Sequence, residues 1–67
     1  MNEVELEILC RAGIDIELSI LMERPDLPRW VIVERAESGG IRFLDSNDAY
    51  HIVEAKALAL CQERGVL

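Results

Sequence analysis

The chain has 67 residues and a mass of 7.6 kDa, and its 7 basic and 13 acidic residues give a formal net charge of −6. This length excludes a second domain, so we expect residues 1–67 to form one small globular domain with a marginal core. The 51% hydrophobic content excludes a disordered tail, and the acidic balance argues against a nucleic-acid partner. No uncharged stretch suits a membrane span or a signal peptide, so we expect a cytoplasmic protein without a membrane partner.

Residues 2–12 are compatible with either a helix or a strand. The alternation of apolar and polar residues from Val4 to Cys10 would suit a strand. A helix is favoured by Asn2 as N-cap, by Glu5 at the capping-box position and by Gly13 as the residue that ends it. The start and stop signals agree, so the sequence predicts a helix here, with a strand as the alternative.

A half-buried strand is predicted for residues 14–23, because apolar and polar residues alternate there. The segment from Pro25 to Pro28 predicts a turn that returns the chain antiparallel to a second strand.

A β-hairpin is predicted next, with strands at 29–34 and 41–44 joined by a tight turn at Gly39-Gly40 that needs positive φ at both glycines. Pairing across such a turn would divide the apolar side chains between two faces. One face would hold Trp30, Ile32, Ala36, Ile41 and Phe43. The other face would hold Val31, Val33 and Leu44.

The last element is predicted to be a helix over residues 49–64, capped by the oxygens of Asp45–Asp48 and followed by Gly65. Its apolar face would leave His51 and Leu58 on the opposite side. The fold class is therefore α+β, a small antiparallel sheet of three strands in the order α-β-β-β-α, with β-β-β-β-α as the alternative.

This order of elements resembles that of double-stranded RNA-binding domains, whose last helix begins with lysines that contact phosphates. The corresponding residues here, 46–51, contain no lysine. The strand-hairpin-helix half of the chain, in which Phe43-Leu44-Asp45-Ser46 leads into an Ala-rich helix, is also similar to small accessory domains of phages and bacteria. The resemblance to RNA-binding domains implies a nucleic-acid-associated domain as the alternative function, and the charge disfavours it.

The residue types that carry chemistry are sparse, so we expect no enzyme, metal site or cofactor. His51 is the only histidine and is expected on the surface. Asp45–Asp48 resembles the start of a calcium loop, but Tyr50 and Lys56 stand where such a loop needs glycine and glutamate. Cys10 and Cys61 lie among apolar residues and are expected to be reduced and buried, with a disulfide between them as the alternative.

The sequence predicts a non-catalytic protein-binding module, such as a small acidic inhibitor or accessory protein of phage or bacterial type. An apolar surface would bind a partner or a second copy in a homodimer. The candidate apolar residues are Leu21, Val31, Val33, Leu44 and Leu58. An acidic surface would dock on a basic groove of the partner. The candidate acidic residues are Glu3, Glu7, Asp15, Glu17, Glu34 and Glu37.

Overall fold

The computed structural model describes residues 2–65 and has an α+β fold with the element order α-β-β-β-α. The elements are α1 (Glu3–Ala12), β1 (Ile14–Leu18), a 3-10 helix (Ser19–Met22), β2 (Trp30–Arg35), β3 (Ile41–Asn47) and α2 (Tyr50–Glu63). The strands form one antiparallel sheet in the order β1-β2-β3. The predicted fold class is confirmed, and the alternative with four strands is wrong.

Helix α1 has the predicted boundaries because local hydrogen bonds fix both of its ends. The Asn2 side chain accepts the Glu5 N–H at 2.9 Å, and the Glu5 carboxylate accepts the Asn2 N–H at 3.4 Å. Gly13 has φ 72°, the left-handed conformation that a residue with a Cβ atom adopts at a cost. This glycine lets the chain leave α1 and enter β1 without a longer loop.

Strand β1 is shorter than predicted and ends at Leu18, so the strand assignment of residues 19–23 is wrong. The Ser19 N–H donates to the Arg29 carbonyl at 2.9 Å, and the Ser19 carbonyl accepts from the Arg24 N–H at 3.0 Å. The N–H of Ser19 therefore makes the last hydrogen bond of the β1–β2 ladder, and its carbonyl makes the first hydrogen bond of the connecting segment. As a result Leu21 lies in the 3-10 helix and not on the sheet.

The hairpin between β2 and β3 has a longer loop than predicted. The loop spans residues 36–40, with the Ala36 N–H donating to the Gly40 carbonyl at 2.8 Å. Gly39 has φ 92°, whereas Gly40 does not adopt positive φ. The predicted pair of left-handed glycines is therefore wrong.

The longer loop changes the register and the faces of β3. Val33 pairs with Phe43 and Arg35 pairs with Ile41, so these side chains share a face. The predicted placement of Ile41 and Phe43 beside Trp30 is wrong. A bulge opposite the step from Ile32 to Val33 then restores the alternation along the rest of the strand.

Helix α2 begins at Tyr50 without the predicted cap, because β3 continues to Asn47. The Asn47 side chain accepts the Ala49 N–H at 2.9 Å, and the Asp48 side chain accepts the Arg29 N–H at 2.9 Å. The polar side chains that were expected to cap the helix thus close the turn that precedes it and tie that turn to β2. Ala49 stands at the N-cap and offers no side-chain bond.

The core lies between one face of the sheet, here called the inner face, and the two helices. Its buried members are Leu9, Ile14, Ile32, Val53, Ala57 and Cys61. Trp30 and Leu44 are half-buried against this cluster. Leu44 therefore packs on the inner face, and its predicted position beside Val31 and Val33 is wrong. The bulge is the physical cause, since it turns one additional β3 side chain toward the helices.

Candidate interaction surface

The opposite face of the sheet, here called the outer face, is defined by the residues that pair in register across the three strands. Its members are Asp15, Glu17, Val31, Val33, Arg35, Ile41, Phe43 and Ser46. The core cluster contains none of them. The outer face is therefore a surface separate from the packing of the helices.

The apolar part of the outer face has a buried centre and an exposed side. Val31 and Val33, on the central strand, are 0% and 2% exposed. Beside them on β3, Phe43 is 50% exposed and Ile41 is 59% exposed. Two large apolar side chains in solvent on one strand are the kind of feature that marks an interaction site.

The charged part of the outer face lies on β1. Asp15 pairs with Val33 in register, and its carboxylate contacts the Arg35 guanidinium at 3.3 Å. Glu17 pairs with Val31 and has no ion pair among residues 2–65. The outer face thus runs from carboxylates on β1, across buried valines, to exposed apolar side chains on β3.

The apolar residues predicted from the sequence do not form one exposed surface. Val31 and Val33 are buried within the chain, so their expected exposure is wrong. Leu44 and Leu58 are half-buried, and Leu21 is 72% exposed in the 3-10 helix. Sequence reasoning missed Ile41 and Phe43 as exposed residues, because the short turn assumed for the hairpin assigned them to the covered face.

The predicted acidic residues also divide among different parts of the molecule. Asp15 and Glu17 share the outer face, whereas Glu3 and Glu7 lie on α1 and Glu37 lies in the hairpin loop. They are therefore not one continuous docking surface.

Glu34 lies on the inner side of β2, which contradicts its predicted role in docking. Its carboxylate forms ion pairs with Arg42 on β3 and with Arg64 at the end of α2. Its side chain is 21% exposed. Glu34 connects the C-terminal end of α2 to the sheet instead of facing a partner.

Most of the basic side chains are neutralised within the chain. Among the described residues 2–65, six of the seven bases lie within ion-pair distance of an acid. Arg29, the seventh, stacks over the Trp30 ring at 5.8 Å. Because the cations are already paired, the excess negative charge dominates the field that a partner meets.

Two carboxyl groups have lowered pKa values, each for a local reason. The Ser46 N–H and then Lys56 lower the pKa of Asp45, whose carboxylate contacts the Lys56 ammonium at 3.1 Å. The side-chain hydrogen bond from Arg24 lowers the pKa of the exposed Asp26. Both groups stabilise local structure by remaining ionised.

The groups with possible reactivity are few and dispersed. His51 is exposed, and residues 2–65 contain no group of three or more His, Cys, Asp or Glu side chains that could hold a metal. Both cysteines are free, so the alternative of a disulfide is wrong. Cys61 is buried and its pKa is raised by burial, but Cys10 is exposed, which contradicts its predicted burial.

In the part of the chain that the structure describes, no helix has the length and apolar character needed to cross a membrane. Comparison of the chain with protein-family models, with curated proteins and with solved structures finds no match.

Proposed function

We propose that the protein is a non-catalytic protein-binding module that docks the outer face of its sheet on another protein with a basic surface. The observation that carries this proposal is the exposure of Phe43 and Ile41 on a face that no part of the core cluster covers. Partial burial of such side chains contributes about 25 cal/mol per Å² of apolar surface removed from water. An aromatic side chain of this kind is a typical energetic centre of an interface.

The charges support a basic partner. Glu17 lies on the same face without an ion pair in residues 2–65, and the chain carries a net charge of −6. Opposite charge on the partner would increase the rate of association and favour one orientation. Binding of this kind would cover the partner's basic surface, which is how a small acidic inhibitor or accessory protein acts.

A second copy of the chain is the competing occupant of the same face. Burial of Phe43 from two copies would favour a homodimer, whereas the charge of −6 on each copy opposes it at low salt. The proposal therefore expects a monomer at low salt, and sedimentation at low and at moderate salt tests that expectation. A dimer lost on substitution of Phe43→Glu would instead assign the face to self-association.

The substitution Phe43→Glu tests the main proposal against Val4→Glu as a matched control. Val4 is 65% exposed on α1, so both variants place the same charge at an exposed apolar position. A partner captured from the source cells, once purified, is expected to bind the Phe43→Glu protein at least about tenfold more weakly, a loss of about 1.4 kcal/mol. Binding to the Val4→Glu protein is expected to stay near that of the unmodified chain.

Two results would contradict the proposal. Equal losses in both variants would show that added negative charge alone weakens binding. Binding only to plain duplex RNA or DNA, weakened steeply by added salt, would favour the nucleic-acid alternative.

A further inference from the structure

Strand β1 is an edge strand whose outer hydrogen-bonding groups can be identified from the ladder. The Arg35 N–H donates to the Gly13 carbonyl at 2.8 Å, and the Ser19 N–H donates to the Arg29 carbonyl at 2.9 Å. Bonded pairs alternate in an antiparallel ladder, so the odd-numbered residues of β1 bond toward β2. The peptide groups of Ile14, Ile16 and Leu18 therefore point away from the sheet.

Within residues 2–65, the outward groups of Ile14 and Ile16 have no backbone partner, whereas the Leu18 carbonyl lies at the N-cap of the 3-10 helix and accepts the first bond of that helix. The paired register along β1 is continuous, and the strand contains no proline, lysine or bulge that would obstruct another strand. The other edge strand, β3, carries the bulge at Leu44, which interrupts the ladder. Only β1 thus offers a regular edge for pairing.

A groove of about 440 Å³ lies beside this edge. It is lined by two consecutive residues of β1, Asp15 and Ile16, whose side chains point to opposite faces of the sheet. The groove therefore reaches the edge of the strand and is not confined to one face. Its remaining walls come from α1, from both ends of β2 and from the start of α2. They are Leu6, Leu9, Cys10, Trp30, Arg35 and Tyr50.

We propose that the free edge of β1, with this groove, binds an extended segment of another protein as an added antiparallel strand that alternates apolar and basic residues. Side chains opposite Ile14, Ile16 and Leu18 would face the apolar side of the groove, where Trp30 lies. Side chains opposite Asp15 and Glu17 would lie on the outer face, where carboxylates favour lysine or arginine. The proposal rests on the proposed function and adds a backbone-mediated site to it.

The same charges argue against a second copy at this edge. Antiparallel pairing of two β1 strands about Ile16 would set Asp15 of one copy opposite Glu17 of the other, on both sides of the symmetry axis. Like charges directly opposite each other in a sheet are destabilising. A basic strand from a different protein removes this repulsion.

A labelled peptide of alternating valine and lysine, about eight residues long so that it exceeds the length of β1, is the probe. In the proposed pairing the valines oppose Ile14, Ile16 and Leu18, so the valine amides make the hydrogen bonds to β1. N-methylation of the valine amides is expected to abolish binding measured by fluorescence anisotropy. N-methylation of the lysine amides is the matched control and is expected to preserve it.

Protein variants test the charge and the location. At near-physiological salt, Glu17→Lys is expected to weaken peptide binding at least tenfold, whereas Glu37→Lys, the same change in the hairpin loop, changes it less than twofold. Bound peptide is also expected to slow alkylation of the exposed Cys10 in the groove. The buried Cys61 serves as the internal control for unfolding.

Equal binding of the two N-methylated peptides, or unchanged alkylation of Cys10, would overturn the strand-addition proposal. So would the absence of binding to folded protein. If the peptide does not bind but Phe43→Glu still weakens binding of a partner protein, the proposed function stands and the strand-addition inference falls. If the peptide binds and protects Cys10, but Phe43→Glu leaves partner binding unchanged, the strand-addition site stands and the proposed docking through the outer face falls.

Discussion

The two faces of the sheet use the same strand in different ways. On the inner face, Ile32 of β2 is fully buried against side chains of both helices, and Glu34 forms ion pairs with Arg42 and Arg64. On the outer face, Phe43 stays half exposed and Glu17 has no ion pair among the described residues. The inner face satisfies its apolar and charged groups within the chain, whereas the outer face leaves some groups of both kinds in contact with solvent. Substitutions on the inner face are therefore expected to change mainly stability, and substitutions on the outer face are expected to change mainly binding.

The largest expected difference between the faces is in apolar packing. Ile32→Ala should lower the free energy of unfolding by about 2–5 kcal/mol, because it leaves a cavity beneath the helices. Phe43→Ala should cost about 1 kcal/mol, since half of the side chain is already in water. Urea unfolding followed by circular dichroism measures both values.

A chain of this size has a total stability of only about 3–10 kcal/mol, so Ile32→Ala can prevent folding altogether. The milder Ile32→Val then provides the comparison, with an expected loss of about 0.5–1.5 kcal/mol. A larger loss for Phe43→Ala than for Ile32→Ala would mean that the outer face belongs to the core.

The second difference is in charge, and one substitution made on each face reveals it. Glu34→Gln removes the anion that two arginines share and should cost about 1–2 kcal/mol, between the values for exposed and for buried ion pairs. Glu17→Gln should change stability by no more than about 0.5 kcal/mol. Denaturant titrations of the two variants in parallel measure the contrast, and equal effects would refute the distinction between the faces.

A smaller effect concerns the glycine that directs α1 toward the inner face. Gly13→Ala should cost about 1 kcal/mol, because alanine resists the left-handed conformation at φ 72°. Gly40→Ala is the control, since Gly40 lacks positive φ and has open space around it. In thermal unfolding, the midpoint of the Gly13→Ala protein should be lower than that of the unmodified chain, and the midpoint of the Gly40→Ala protein should be nearly unchanged. An equal shift in both would show that α1 does not depend on this cap.

The smallest expected effect is the pH dependence of the contact between Asp45 and Lys56, which joins the inner face to α2. Folding lowers the pKa of Asp45, so its stabilising contribution is fully present above about pH 4 and is lost as the pH falls through the folded value. Asp45→Asn should cost no more than about 0.5 kcal/mol at pH 7, because the pair is exposed enough for solvent to screen it.

The difference between the Asp45→Asn variant and the unmodified protein should shrink on acidification. Unfolding titrations at several values between about pH 7 and pH 3 measure it. A difference that grows in acid would contradict the assigned sign.

Elements whose boundaries depend on nearby residues were predictable from the sequence. Helix α1 follows from Asn2, Glu5 and Gly13, which form its hydrogen bonds and its left-handed end within a few residues of one another. The body of α2 and the strands flanking the glycine pair follow from equally local preferences. These features depend on short-range interactions, which a single segment expresses by itself.

The faces of β3 and the candidate site were decided only by the tertiary structure. A loop longer than two residues moved Phe43 opposite Val33, and the bulge turned Leu44 toward the helices. A change of register by an odd number of residues exchanges the two faces of a strand without altering its local sequence. Register depends on which loop and which side-chain packing the whole chain accommodates, so the exposed pair Ile41 and Phe43 could not be identified from residues 41–47 alone.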